Sequence, residues 1–170
     1  MSWIVLVGQR ACGKTSIGQE LAKVLNIDFV DLDDEIEKRE KKKIIDIFEV
    51  FGEKYFRKQE LKSLLSLPKK KLVLSTGGGL ITQADALSFL KQRGVIIHIE
   101  VSQKELLNRR KNDKTRPLLY GSSTLENEIE KSFEIRESLY IKNSNMTLNC
   151  NALSLDESVN KMVKLIEVGK

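Results

Sequence analysis

A glycine-rich segment near the N-terminus has the residue types and spacing that bind the phosphates of a nucleotide. Residues 8–15 are GQRACGKT, which matches the pattern G-x-x-x-x-G-K-[S/T]. In such a loop the backbone N–H groups surround phosphate oxygens, and the positive N-terminus of the following helix points at the same place. We expect Lys14 to reach the β- and γ-phosphates and Thr15 to offer its hydroxyl to Mg²⁺. The segment therefore predicts a site for a nucleoside triphosphate.

Two aspartates follow the second predicted strand. Ligands of open α/β sheets bind beyond the carboxyl ends of the strands, so Asp31 and Asp33 should face the phosphate loop. The alternation of a strand would point both side chains the same way, with Leu32 in the core. One carboxylate can support Mg²⁺ through water, and the other can accept the proton of a substrate hydroxyl. The alternative is that one of them only caps the next helix, a role for which Asp34 is the better candidate.

The third predicted strand, over residues 72–75, ends without an acid. In many phosphate-loop proteins an aspartate at this point holds the metal. Three glycines at 77–79 follow Ser75 and Thr76 instead. Consecutive glycines cost conformational entropy and are useful where the backbone must approach a ligand closely. We therefore expect Asp31 to supply the acid that supports the metal.

Several arginines could contact anionic groups: Arg57, Arg109, Arg116 and Arg136. Arg57 and Arg136 lie on predicted helices, where each could equally be an ordinary surface residue. Arg116 lies in a polar loop over 112–123, from which a guanidinium could close onto a transferring phosphoryl group and exclude water. His98, in an apolar strand, is expected to be a core residue rather than a catalyst.

Alternating strands and helices must position these residues. Apolar, β-branched runs predict five strands, over 2–7, 29–31, 72–75, 95–99 and 146–149. Helical periodicity predicts helices over 14–25, 33–41, 45–67, 83–92, 103–110, 125–142 and 155–168, with breaks near 42–44 and at Gly52. Gly94 is expected to close one of these helices, and Ser102 to cap another. The alternation predicts an α/β fold around a parallel sheet.

Length, charge and cysteine content limit the class of protein. A chain of 170 residues fits one domain with a single core, and no apolar run approaches the roughly 20 residues of a membrane span. The first strand begins almost at the N-terminus, so no signal peptide is expected. Cys12 and Cys150 make no disulfide framework, which indicates a cytoplasmic location, with Cys12 a neutral filler of its loop. The net charge of +5 comes with lysine clusters that lack interleaved aromatics, so nucleic-acid binding is not expected.

Taken together, these segments resemble the shikimate kinases, which are small P-loop kinases of the nucleoside-monophosphate-kinase superfamily. The resemblance extends from the first strand to about Tyr140. It rests on GQRACGKT (8–15), DLDDEIE (31–37), IIDIFEVFGEKYFRKQE (44–60), STGGG (75–79), TRPLL (115–119) and IRESLY (135–140). The phosphate loop alone is shared by many unrelated families, whereas D-x-D, F-R-x-x-E, G-G-G and R-P-L-L in this order are highly specific.

The resemblance implies both a fold and a reaction. The fold is a three-layer α/β/α domain over 1–170, with a five-stranded parallel sheet in the order 2-3-1-4-5. It has a shikimate-binding region at about 31–62 and a mobile lid at about 111–123. The reaction is transfer of the γ-phosphoryl group of ATP, with Mg²⁺, to the 3-hydroxyl of shikimate, in the route to chorismate and the aromatic amino acids. A cytoplasmic monomer without nucleic-acid or membrane partners is expected.

The resemblance also implies how the acceptor is bound. Asp33 is similar to the acid that bonds the hydroxyls of shikimate and receives the proton of the attacking one. Arg57 and Arg136 resemble the pair that binds the shikimate carboxylate, for which a planar, bidentate guanidinium is suited. Gly78 and Gly79 would hold the substrate through their backbone.

On the nucleotide side, the resemblance implies a second set of contacts. Arg116 matches the lid arginine that meets the phosphates and, with Lys14 and Asp33, would be catalytic. Asp31 and Thr15 would hold Mg²⁺. The other nucleotide contacts implied are Ala11, Cys12, Gly13, Lys14, Thr15, Ser16 and Arg109, with Arg110 as the alternative neighbour of the adenine.

Two departures from the family pattern affect these expectations. Many relatives have glycine where Ala11 stands, and alanine is tolerated there if its φ is negative. The loop over 149–154 lacks the aspartate and proline usual beside the adenine, which leaves the adenine contacts least defined.

Two alternative functions remain. One is a sibling kinase, such as a gluconate kinase, that acts on another small hydroxy acid. The other is a non-catalytic module that senses ATP, against which the intact phosphate loop, aspartate pair and Arg116 count.

Overall fold

The computed structural model describes residues 3–111 and 118–168 as a parallel sheet with helices on both faces. The strands are β1 (Trp3–Val7), β2 (Asp28–Asp31), β3 (Leu72–Ser75), β4 (Gly94–Glu100) and β5 (Met146–Asn149). The helices are α1 (Lys14–Leu25), α2 (Leu32–Glu40), α3 (Ile44–Ser66), α4 (Ala84–Arg93), α5 (Gln103–Arg110), α6 (Leu125–Asn143) and α7 (Leu155–Val168). A short 3₁₀ helix, Leu80–Thr82, follows the three glycines. Within these ranges, no helix is long and apolar enough to cross a membrane.

The sheet has the strand order β2-β3-β1-β4-β5 with every pair parallel, which confirms the predicted topology. At the start of the central strand, Trp3 is in register with Leu72 of β3 and with Gly94 of β4. All five residues of β1 are buried. This is why β1 is apolar throughout, since a parallel strand covered on both faces has no side that meets water.

Two apolar cores lie on opposite faces of the sheet. Alternate residues of β1 supply each one: Trp3, Val5 and Val7 pack with α2, α3 and α4, whereas Ile4 and Leu6 pack with α1, α5 and α7. Each fully buried leucine or isoleucine contributes roughly 1.5–3 kcal/mol relative to an exposed one. The three-layer α/β/α arrangement predicted from the resemblance is confirmed.

The junction of β2 and α2 differs from the sequence prediction. The helix begins at Leu32, directly after the strand, and the Asp31 side chain caps it by accepting from the backbone N–H of Asp33 at 3.0 Å. Asp31, and not Asp34, is therefore the cap. The strand alternation predicted for the pair is wrong because Asp33 lies in the first helical turn, although Leu32 is fully buried as expected. The preference of aspartate for the N-cap position starts the helix directly after the strand.

Other boundaries mostly follow the prediction. The long helix α3 is broken at Gly52, whose φ of 76° and ψ of 172° are not helical. Ser102 caps α5, its hydroxyl accepting from the N–H of Glu105 at 3.3 Å. Gly94 closes α4 as predicted: its N–H donates to the carbonyl of Leu90, and its extended backbone begins β4. The 3₁₀ helix was not predicted.

Candidate active site

The phosphate loop connects β1 to α1 and encloses its own lysine. Gly13 caps α1 with a left-handed φ of 105°. Lys14 is buried, and its ammonium group donates to the carbonyl oxygens of Gly8 at 3.0 Å and Gln9 at 2.9 Å. The lysine of the loop is thus held by backbone groups of the same loop.

Ala11 has a left-handed backbone in this loop, with a φ of 65°. The condition under which alanine would be tolerated without strain, a negative φ, is therefore not met. A residue with a Cβ in this region carries strain of roughly 1–2 kcal/mol because the Cβ approaches the following carbonyl oxygen. The chain consequently has alanine at a position whose backbone favours glycine.

A hydroxyl and a carboxylate meet at the start of α1. Thr15 Oγ1 donates to Asp31 Oδ2 at 2.7 Å, while the other oxygen of Asp31 caps α2. Mg²⁺ in nucleotide sites takes oxygen ligands from one or two carboxylates and from phosphates, and keeps several waters. The pair fits this ion, so Thr15 and Asp31 are residues that could hold it.

A cleft of about 340 Å³ lies over this loop. Its wall contains Asp31 and Asp33 together with the predicted phosphate-loop contacts Ala11, Gly13, Lys14, Thr15 and Ser16. Cys12 is fully buried below it, as a filler of the loop. We call this space the donor cavity.

The two candidate arginines of α5 have different surroundings. Arg109 Nη1 donates to the carbonyl of Cys12 at 3.1 Å, and its Nε donates to Glu105 at 2.9 Å. Arg110 is buried, and its two terminal nitrogens donate to the two oxygens of Glu128 at 3.0 and 2.9 Å. The geometry therefore favours Arg109 as the cation beside the phosphate loop.

The loop after β5 is built from asparagines instead of the aspartate and proline usual in relatives. Asn151 Oδ1 accepts from the N–H of Ser102 at 2.9 Å, and Asn149 Oδ1 accepts from the N–H of Asn151 at 3.0 Å. These side chains fix the loop to the start of α5, on the same side of the sheet as the phosphate loop.

A second cavity, of about 420 Å³, adjoins the first. The predicted acceptor residues all line it, although they come from α2, α3, the segment after β3, and α6: Asp33, Arg57, Gly78, Gly79 and Arg136. Its size suits a small molecule. We call it the acceptor cavity.

Arg57 is fixed in the wall of the acceptor cavity by two glutamates. Its Nη1 donates to Glu60 Oε2 at 2.7 Å, and its Nε and Nη2 donate to Glu53 Oε1 at 3.2 and 3.1 Å. The guanidinium lies over the ring of Phe56, 5.2 Å from its centre. A Cβ at Gly79 would collide with this guanidinium, so a side chain there would displace the Arg57 guanidinium from its present position.

Glu60 is a site residue to which the sequence analysis assigned no role. It is fully buried and accepts from Arg57 and from Gln83 Nε2, the latter at 2.6 Å. The pKa of Glu60 is raised to about 7, because burial, with a smaller contribution from Asp33, raises it by more than Arg57 lowers it. Its place three residues after Arg57, on the same helix face, is the signal that could have found it.

Helix α6 supplies Arg136 and, one turn later, Tyr140. Arg136 is buried and lies over the ring of Tyr120, 5.3 Å from its centre. The Tyr140 hydroxyl lies 3.0 Å from the Gly8 carbonyl and 2.5 Å from the Gly78 carbonyl, and donates to them. It thereby connects the phosphate loop to the three-glycine segment, a contact that the sequence analysis did not anticipate.

His98 is buried beneath this contact, as expected for a core residue. Its ring stacks on Tyr140 with 4.9 Å between centres. Burial lowers the pKa of His98 to about 4, with a smaller contribution from Lys14. The ring is therefore neutral near pH 7, which fits packing rather than acid–base chemistry.

Comparison with known proteins places the chain in a family. A family model described as shikimate kinase matches residues 10–167. The chain belongs to the shikimate kinase family. The shikimate kinase of Caldicellulosiruptor saccharolyticus is 39% identical over 166 residues, which cover 97% of this chain and 95% of that protein. The shikimate kinase of Aquifex aeolicus is 43% identical over 140 residues, or 82% of each chain.

Solved structures agree with this assignment. The shikimate kinase of Acinetobacter baumannii in complex with shikimate is 38% identical, with a TM-score of 0.93 over 100% of this chain and 95% of that one. A gluconokinase of Sinorhizobium meliloti shares only the fold, with 14% identity and a TM-score of 0.52 over 98% of this chain and 94% of that one. Like other shikimate kinases, this family member is an ATP-dependent kinase that uses Mg²⁺.

The predicted lid of this shikimate kinase lies only partly within the described residues. Arg116 falls outside them, as do its neighbours from 112 to 117. Beyond that gap, Leu119 lines the acceptor cavity and Tyr120 contacts Arg136. The described end of the lid thus lies against the acceptor residues.

Proposed function

We propose that this chain transfers the γ-phosphoryl group of ATP to the 3-hydroxyl of shikimate, giving shikimate 3-phosphate and ADP in the route to chorismate. The observation that carries the proposal is the junction of the two cavities. Asp33 lines both the donor and the acceptor cavity, and Arg57 and Arg136 line the acceptor cavity with it. A carboxylate at that junction can accept the proton of a hydroxyl in the acceptor cavity while it lies next to a phosphate in the donor cavity.

The acceptor is held by charge and by backbone. Arg57 and Arg136 bind the shikimate carboxylate, and the backbone of Gly78 and Gly79 positions the ring. Asp33 accepts the proton of the 3-hydroxyl while the oxygen of that hydroxyl bonds to the γ-phosphorus. The bond from that phosphorus to the β–γ bridging oxygen breaks, and ADP leaves with the electron pair.

The donor is held mainly by the phosphate loop. Lys14 exchanges its contacts with loop carbonyls for the β- and γ-phosphates, and N–H groups of residues 11–16 bind phosphate oxygens. Thr15 and, through water, Asp31 hold Mg²⁺, which neutralises phosphate charge when bound. Arg109 contributes a nucleotide contact beside the loop, and Arg116 binds the phosphates from the lid. Positioning and charge neutralisation supply the acceleration, since phosphoryl transfer leaves little covalent work to the protein.

The proposal treats residues 1–170 as one kinase domain, with a shikimate-binding region at 31–62 and a lid at 111–123. It also places the enzyme in the cytoplasm. Support for that location comes from Cys12 and Cys150, which are both buried free thiols.

A coupled assay of ADP release tests the proposal. ATP and Mg²⁺ are supplied with shikimate, with gluconate, or with no acceptor. We expect release only with shikimate. Release with gluconate alone would favour a sibling kinase. Binding of ATP without release on either acceptor would favour the sensing module.

A further inference from the structure

Arg10, in the phosphate loop, lines both the donor and the acceptor cavity. Among the described residues, those common to the two walls are Arg10, Asp33, Gly77 and Gly78. Arg10 is the cation of that set. A group that passes from a donor in one cavity to an acceptor in the other must cross this shared border, which Arg10 lines.

Helix α6 fixes this part of the loop from behind. Gln9, the preceding residue, exchanges two hydrogen bonds with Ser132: its Oε1 accepts from the hydroxyl at 2.6 Å and its Nε2 donates to the carbonyl at 3.3 Å. One turn earlier on α6, Glu128 Oε1 lies 3.5 Å from Arg10 Nη1. The arginine is therefore held in place rather than free in solvent, and 14% of its side chain is exposed.

Glu128 contacts two arginines. This carboxylate is 1% exposed and accepts two shorter bonds from Arg110, at 3.0 and 2.9 Å. Two guanidinium groups thus share one carboxylate, and the bidentate contact belongs to Arg110. The contact with Arg10 is single and longer, at 3.5 Å, so Glu128 restrains Arg10 without forming a bidentate pair with it.

We propose that Arg10 contacts the transferring phosphoryl group and that Glu128 is the residue that positions it. The inference rests on the proposed transfer to shikimate. While the acceptor oxygen bonds to phosphorus, Asp33 takes the hydroxyl proton and ADP leaves with the electrons of the broken bond. Arg10 donates hydrogen bonds to the phosphoryl oxygens throughout. A fixed cation at this place stabilises the transition state without needing a loop to close.

The test compares Arg10→Met, which removes the charge at similar length, with Arg10→Lys, which keeps it. Arg39→Met is the matched control, because Arg39 is exposed on α2 and lies in neither cavity. Each variant is assayed for kcat, for the KM of shikimate, and for the Kd of ADP with and without aluminium fluoride, a mimic of the transferring group. The thermal midpoint is recorded for each.

For Arg10→Met we expect kcat to fall roughly 100-fold, and affinity for ADP with aluminium fluoride and shikimate to fall by a similar factor. The Kd of ADP alone should stay within about threefold. Arg10→Lys should recover part of both losses, and Arg39→Met should match wild type. Glu128→Gln should lower kcat more than it raises the KM of shikimate.

Two results would overturn the inference. One is an unchanged kcat in Arg10→Met with aluminium fluoride complexes of normal affinity. The other is an equal loss of ADP affinity with and without aluminium fluoride together with a lower thermal midpoint, which would mean that Arg10 only supports the loop. If wild type itself releases no ADP with shikimate, the proposed function fails first, and the role of Arg10 in that transfer fails with it.

Discussion

The donor and acceptor cavities adjoin, yet they are built in different ways. Half of the residues that line the donor cavity come from one continuous segment, the phosphate loop, whose lysine is bound by the carbonyl groups of Gly8 and Gln9 in the same segment. The acceptor cavity is assembled from side chains of α2, α3 and α6 and the segment after β3. Arg57 is paired with Glu60 within α3, and Glu60 in turn accepts from Gln83 at the start of α4.

This difference separates two kinds of recognition. Backbone N–H groups keep their dipoles whatever the pH, so phosphate binding should tolerate changes of pH and of most side chains. Recognition by paired, buried side chains depends on charge states and on the packing of several elements. Substitutions in the acceptor cavity should therefore change acceptor binding while the affinity for ADP stays constant.

Asp33 gives the most severe test, because it belongs to both cavities. Asp33→Asn keeps the shape and removes the group that accepts the hydroxyl proton. We expect kcat to fall roughly 10²- to 10⁴-fold, as for the loss of a general base. Steady-state kinetics with shikimate measures this, and titration with ADP should give the wild-type Kd. Turnover close to that of wild type would exclude Asp33 as the base.

Arg136 tests the acceptor side alone. Lysine at this position keeps the charge but lacks the planar fork that binds a carboxylate through two bonds. We expect Arg136→Lys to raise the KM of shikimate roughly 10- to 100-fold, as for loss of a charged hydrogen bond. The Kd of ADP should change less than about twofold.

Arg93→Lys is the control for this substitution. Arg93 lies over the rings of Trp3 and Phe89, in the wall of neither cavity. An increase in the Kd of ADP equal to that in the KM of shikimate, seen in Arg136→Lys only, would contradict the separation of the two cavities.

Because of Glu60, we expect binding in the acceptor cavity to depend on pH. Burial raises its pKa to about 7, and an anionic substrate beside it would raise that pKa further. Binding then takes up a proton, so affinity for shikimate should weaken roughly three- to fivefold as the pH rises from 7 to 8. Calorimetric titration in two buffers of different ionisation enthalpy measures the proton uptake. Glu60→Gln should abolish it, and ADP binding to wild type should show no comparable effect.

The same group affects stability in a defined direction. The folded-state pKa lies above the ordinary value of 4.5, so the folded chain holds a proton that the unfolded chain has released. The stabilisation that Glu60 contributes is complete below about pH 4.5 and is lost as the pH rises to about 7. Relative to Glu60→Gln, the unfolding free energy of wild type should fall across this window. A constant difference between the two proteins would contradict the raised pKa.

The two cavities also differ in how far the sequence predicts them. The donor cavity follows from one motif, because eight consecutive residues specify the strand end, the loop and the helix start. The acceptor residues lie between positions 33 and 136, far apart in the sequence. Their grouping into one site was predicted from the resemblance to the family and not from periodicity. Glu60 was overlooked because its burial depends on the packing of α3 against the segment after β3. No local pattern shows that Tyr140 would reach two carbonyl groups.

Local conformation was harder to predict than the order of elements. The alternation assumed to extend to residue 33 did not show that Asp31 would cap a helix that begins at Leu32. The left-handed backbone of Ala11 also depends on the path of the loop, which the residue type alone does not specify. In both cases the error concerned local backbone, while the strand order, which the resemblance to the family implied, was right.

Ala11 offers the mildest test, and it concerns the donor side. Because its φ is 65°, Ala11→Gly should relieve strain and raise the unfolding free energy by about 0.5–1 kcal/mol, after the entropy that glycine gains in the unfolded chain. Denaturant unfolding measures this. Ala84→Gly, at the exposed start of α4, should have the opposite sign. If Ala11→Gly also left the KM of shikimate unchanged, it would show that the donor loop can be altered without disturbing the acceptor cavity. A loss of stability would mean that the alanine side chain makes contacts worth more than the strain.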